Sequence, residues 1–224
     1  MQATSQNPQK ENPYPPIGMS SSAAAETSIL LPAEEQARAG LYSLLAHLLL
    51  APPPATLLAA LAQADALPSE TGDLEASWEQ LVLVAGIMDA DAVRDEFNAL
   101  FIATGTPLLN PHESLYVSGF MMDRPLAALR DDLRDMGLAR RTGAVELEDH
   151  LGSLCETMSL LISQGRPLAL QRRFFESHLV NWAAPCLDDI RNAEGANFYR
   201  HLANVVDAFL QLEKEAFDME QDNA

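Results

Sequence analysis

Between Ala33 and Leu50 the chain reads AEEQARAGLYSLLAHLLL, then meets three consecutive prolines at 52–54. Ala37, Leu41, Leu44, Leu45, Leu48 and Leu49 return at helical spacing, so one face of a helix is apolar and the rest is wet. Pro32 stands where a first helical residue needs no amide donor, and the proline run cannot continue a helix. The same grammar recurs to the end of the chain. Ala- and Leu-rich stretches are separated by Pro68, Gly72, Gly105, Pro107, Pro111, Gly137, Gly143, Gly165, Pro167 and Gly195. It predicts further helices at about 55–66, 73–88, 91–103, 124–136, 146–164, 167–192 with a break near Pro185, and 196–217. β-branched and aromatic residues are sparse, and no alternating segment of useful length occurs, so strands are not expected. The reading is an all-α, single helical-bundle domain over residues 29–217.

Residues 1–28 are rich in Pro, Ser, Gln and Asn and poor in large apolar side chains, so a disordered leader is expected there. Residues 218–224 form an acidic end expected to fray. With 32 acidic against 14 basic residues, the formal charge of −18 would repel a phosphate backbone. Nucleic acid is thereby disfavoured and basic peptides favoured as partners. No stretch approaches the length of apolar sequence that a bilayer demands, and no secretory signal pattern opens the chain, so a cytoplasmic protein without stable membrane insertion is expected. Cys155 and Cys186 each sit in an apolar helical pattern and read as small core residues.

Chemistry is harder to find. Glu146 lies four residues before His150, which would place both on one helix face and invite a metal. Yet no Glu lies three residues before a His, no His-Glu-x-x-His run occurs, and the cysteines are not spaced as a hook. His150 with Leu154, Met158 and Leu161 reads equally as a core-edge histidine, with Asp149 near a helix start. His112, Glu113 and Ser114 are neighbours along the chain, which makes no triad, and no nucleophile elbow or phosphate loop is present. Pro111 could instead open a short helix with Glu113 and Ser114 in its first turn. The stripes Phe174, Phe175, His178, Leu179, Trp182 and Phe198, Leu202, Val205, Val206, Phe209, Leu212 read as core. A catalytic role is not supported, and no cofactor or metal site of the chain's own is expected.

Taken in order, LYSLLAHLLLAPP, EFNALF, PHESLY, ELEDHLGSLCETM, FFESHLVNWAAP and FYRHLANVVDAFL resemble the TorD/DmsD/NarJ-like cytoplasmic chaperones that assist maturation of molybdenum-containing redox enzymes. The resemblance covers about residues 33–213. It implies an all-helical, non-enzymatic chaperone that binds the twin-arginine signal peptide and apo form of a molybdoenzyme catalytic subunit, supporting molybdopterin insertion before export. The family's Pro-x-Glu-Ser-x-Tyr-like loop falls on Pro111, Glu113, Ser114 and Tyr116, and its Glu-Pro-x-Asp-His motif on Glu146, Asp149 and His150. Leu147 replaces the usual proline, and His112 stands where Tyr or Trp is common. The implied client-binding residues are these seven together with Phe101, and Asp149 and Glu113 are expected to face guanidinium groups across a groove. A helical metal-dependent hydrolase using Glu146, His150 and His178 or His201 is the alternative, as is a non-catalytic interaction or regulatory subunit. Monomer and homodimer both remain open.

Overall fold

A computed structural model describes residues 19–21, 31–67, 72–102, 107–141, 143 and 146–222. The first long helix, α1 (Ala33–Leu50), follows Pro32, carries Glu34 and Glu35 in its first turn and stops before the prolines. Acidic side chains there complement the positive end of the helix dipole. Next come α2 (Ala55–Leu61), α3 (Gly72–Ile87) and α4 (Ala90–Phe97), the last capped by Asp89, whose carboxylate accepts from the Ala92 amide. A π-helical turn, Asn98–Ile102, extends α4 and is followed by α5 (Glu113–Ser118) and α6 (Arg124–Asp135). The remaining helices are α7 (Leu151–Ser163), α8 (Leu168–His178), α9 (Ala183–Asn192) and α10 (Phe198–Asp222).

The all-helical expectation holds with one addition. A three-residue strand β1 (Met19–Ser21) pairs antiparallel with β2 (Leu138–Arg140). Apart from those three residues, the leader expected at 1–28 lies outside the described residues. At the other end, the stretch expected to fray is helical as far as Asp222. Among the described residues no helix is long and apolar enough to cross a membrane.

The bundle is organised by two long helices. α1 packs along α7, while α10 packs against α3 and α9. Tyr42, Leu45 and Leu48 of α1 and Leu151, Leu154, Cys155, Met158, Leu161 and Ile162 of α7 are all fully removed from solvent. Both cysteines are free and buried, as small core residues would be. Burial pushes each thiol up to about 12. The expected stripe on α10 is also inward, with Phe198, Leu202, Val205, Val206 and Phe209 buried.

Gly152 lets α1 and α7 approach. A Cβ at that position would stand 2.6 Å from Leu50 Cγ. Helix preference alone would make Gly152→Ala favourable by roughly 1 kcal/mol. The clash reverses the sign, and a net loss of about 1–2 kcal/mol is expected in urea unfolding, because forcing a methyl into a packed core costs more than the preference gains.

Two boundaries differ from expectation for identifiable reasons. The break in 167–192 falls at residues 179–182, and Pro185 sits in the first turn of α9, where a missing N–H costs nothing. The 146–164 helix begins only at Leu151, because the residues before it pair with another part of the chain.

Candidate functional site

Pro111–Glu113 runs beside Asp149–Leu151 as a short antiparallel bridge between His112 and His150. The Glu113 amide donates to the Asp149 carbonyl at 2.9 Å, and the Leu151 amide to the Pro111 carbonyl at 2.8 Å. Side chains tighten the join. Asp149 Oδ2 accepts from both the amide and the hydroxyl of Ser114, at 3.0 and 2.5 Å. Asp149 thereby caps α5 from a distant part of the chain, satisfying an amide that a helix start leaves free. Ser114 Oγ in turn accepts from the Met122 amide at 3.2 Å. The two polar clusters that the sequence singled out are therefore one structural unit.

His150 caps the next helix. Its Nδ1 accepts from the Gly152 amide at 3.0 Å, which requires that nitrogen to be unprotonated. Burial, reinforced by His112, drives its pKa down to about 3, so the ring is neutral over the physiological range. The His112 and His150 rings meet edge to face, with centroids 5.0 Å apart. His112 Nε2 lies 3.7 Å from Glu146 Oε2, and this partner holds the Glu146 carboxyl below its ordinary range. Glu146 and His150 do not share a helix face as the spacing had implied, since 146–150 precedes α7.

Behind this join lies a second cluster. His178, 2% exposed at the end of α8, directs Nδ1 to Glu113 at 3.2–3.3 Å and Nε2 to Asp132 of α6 at 3.0 Å. Burial disfavours the imidazolium, but the two carboxylates outweigh it and raise the His178 pKa above 6.5. Burial likewise lifts Glu113 above its ordinary value, against the pull of His178. Because the folded-state pKa of His178 is raised, its contribution to stability is complete below about 6.5 and disappears as pH climbs through the folded-state value. His150, shifted the opposite way, costs stability only below that range. The urea midpoint should thus fall from pH 6.5 to pH 9, and fall less in Asp132→Asn, where one of the two carboxylates is gone. Equal slopes in the two proteins would contradict this assignment.

The expected contact residues divide by exposure. Pro111, Glu113, Ser114, Asp149 and His150 are buried, and Phe101 packs with Phe97 and Tyr199, each at a centroid distance of 5.2 Å. Glu113 and Asp149 do not face outward across a groove; one is held by His178, the other by Ser114. Glu146 is the carboxylate of the pair of motifs that keeps solvent contact, with its side chain 25% exposed. Tyr116 is half-buried; its hydroxyl donates to Asp189 at 2.8 Å and its ring lies 5.7 Å from Trp182. Two features were missed. His178 read as core or as a distant hydrolase ligand, and its pairing with Glu113 and Asp132 was not foreseen, because these partners are 65 and 46 residues away. The run Gly119-Phe120-Met121-Met122 lies next to the first motif and carries exposed apolar side chains, a signal visible as three large apolar residues between a glycine and the Asp123 that precedes α6.

Among the described residues no group of three or more His, Cys, Asp or Glu side chains is arranged to hold a metal ion. His178 engages Glu113 and Asp132 and not Glu146, so the residues named for a hydrolase are not assembled as one centre.

A family model described as nitrate reductase delta subunit matches residues 67–188, slightly more than half of the chain and inclusive of both motifs. The Haemophilus influenzae protein named "Probable Tat proofreading chaperone DmsD" is 29% identical over 113 residues, covering 50% of this chain and 55% of that protein. The Photobacterium profundum protein named "Chaperone protein TorD" is 26% identical over 130 residues, 53% of this chain and 60% of that one. The chain thus spans little more than half the length of these relatives. An Archaeoglobus fulgidus crystal structure, provisionally described as a redox enzyme maturation protein, is similar with a TM-score of 0.49 and 16% identity, over 82% of this chain and 99% of that one.

Proposed function

Because the chain belongs to the nitrate reductase delta subunit family, we propose that it is an assembly chaperone for a molybdenum-cofactor oxidoreductase. It binds the twin-arginine signal peptide and the apo form of the catalytic subunit in the cytoplasm, and supports cofactor insertion before export. It performs no turnover of its own. The observation that carries this reading is the bond from Ser114 to Asp149, which makes the two family-like motifs a single junction inside the matched span.

Phe101, Pro111, Glu113, Ser114, Tyr116, Glu146, Asp149 and His150 form the client-binding region in this reading, but in two roles. The buried members hold the junction rigid. Glu146 and Tyr116 reach its rim, and Glu146 stays ionised beside His112, so it can accept a charge-assisted hydrogen bond from a guanidinium. The overall charge of −18 draws a cationic leader toward the surface and hastens encounter. Release follows once the folded, cofactor-loaded client no longer offers the same contacts, since a partner shifts an equilibrium only through differential binding.

Affinity purification from the native cell tests the reading. A molybdoenzyme catalytic subunit that still carries its leader is the expected companion. Recovery of only mature, cofactor-loaded partners would point to a non-catalytic subunit of a finished complex instead.

A further inference from the structure

Four large apolar side chains stand in solvent within six residues: Val117 at 53%, Phe120 at 71%, Met121 at 36% and Met122 at 70% exposure. They occupy the last turn of α5 and the tight connection to α6, one step beyond Ser114. Packing does not require them, since their side chains are not in the core. An exposed apolar cluster of this kind marks a binding surface more often than a scaffold feature.

The backbone gives a second, independent observation. Gly119 closes α5 at φ +82°, as glycine readily does, but Met122 also adopts a positive φ, +58°. A bulky side chain rarely tolerates that region, and such a conformation persists only where surrounding structure enforces it. Here the enforcing contact is the bond from the Met122 amide to Ser114 Oγ, itself anchored on the buried Asp149. The junction of the two motifs therefore holds a strained turn whose visible result is the outward display of Phe120, Met121 and Met122.

Resting on the chaperone reading above, we propose that Val117, Phe120, Met121 and Met122 are the docking surface for the apolar run of a client's leader peptide. Charge selects this occupant. Carboxylates lie beside the surface: Asp123 follows Met122 directly, and Asp189 accepts the hydroxyl of Tyr116, one residue from Val117. A peptide with an arginine pair ahead of an apolar run matches both the rim and the centre. A second copy of the chain does not, because a two-fold contact would bring the same carboxylates of two chains of charge −18 together. Two flexible, polarisable methionines also suit a partner whose apolar sequence is not fixed.

Calorimetric titration with a synthetic peptide, an arginine pair followed by roughly 15 apolar residues, tests the proposal. Phe120→Ser and Met122→Asn should each weaken binding about tenfold or more, as loss of a central apolar anchor does. Asn accepts the left-handed backbone, so Met122→Asn keeps the turn while removing the apolar side chain. Ile87→Asn is the control: Ile87 is 73% exposed on α3, beside a separate apolar groove lined by Trp78, Val82 and Leu83, and its loss should leave affinity unchanged. Wild-type affinity in both loop variants, with the peptide still bound, would overturn the docking surface and leave the chaperone reading intact. Failure of the wild-type protein and all variants to bind would overturn both. A concentration-dependent dimer in sedimentation, abolished by Phe120→Ser, would assign the surface to a second copy and overturn the proposal.

Discussion

Replacing His178 with Ala is expected to destabilise the protein by about 3–5 kcal/mol, because it strips the partner from a buried charge. Glu113 is 4% exposed and its carboxylate has His178 as its ion-pair partner at 3.2 Å. Without the imidazolium it faces Asp149 and Asp132, both of which already disfavour its ionisation. Asp132 is more exposed, with a side chain at 26%, and also pairs with Arg173, so its own loss should cost less. Adding Glu113→Gln to His178→Ala should recover part of the loss, since the stranded charge goes with it, whereas two unrelated structural lesions would simply add. Urea unfolding at pH 6.5 of the wild type, His178→Ala, Glu113→Gln and the double variant measures the effect. A loss below about 1 kcal/mol for His178→Ala, the range of exposed pairs, would contradict the picture.

Glu96→Ala should cost roughly 3 kcal/mol, for a different reason. The Glu96 carboxylate, 8% exposed, accepts from the amides of Asn197, Phe198 and Tyr199 at 2.8, 3.1 and 2.9 Å. These are the free donors of the α10 start, and a carboxylate there also answers the helix dipole. An ordinary cap is worth about 1 kcal/mol, but leaving several buried donors without an acceptor adds their desolvation penalty. Glu96→Gln should fall between, since its amide oxygen still accepts while its NH2 opposes the same donors. Hydrogen exchange at residues 197–199 reports the effect locally. Unchanged protection there in Glu96→Ala would show that other groups cap α10.

Both variants rest on contacts that join distant parts of the chain, and these mark the limit of what the sequence discloses. Helices were legible because Ala and Leu repeat at helical spacing between prolines and glycines, a local signal. The junction of Ser114 with Asp149 was approachable through resemblance, since each motif is short and ordered. The start of α7 was not legible: Glu146–His150 has a helical pattern, but its backbone pairs with Pro111–Glu113, and no local rule predicts that preference. The acid–base pairing of His178 and the capping by Glu96 are tertiary as well. The strained turn at Met122 had the weakest signal, because a positive φ in a methionine follows from a bond to Ser114 and not from any propensity of the residue.

On the proposed reading this junction serves recognition of a cationic, apolar export leader. Titrating the purified chain with a client's twin-arginine leader, and with the same peptide carrying Lys-Lys or Gln-Gln in place of the arginines, tests it most directly. Saturable binding of the Arg-Arg peptide, weakened in Lys-Lys and weakened further in Gln-Gln, is the predicted result, since only Arg offers a planar fork of donors and Gln offers no charge. Equal, weak binding of all three peptides would contradict it.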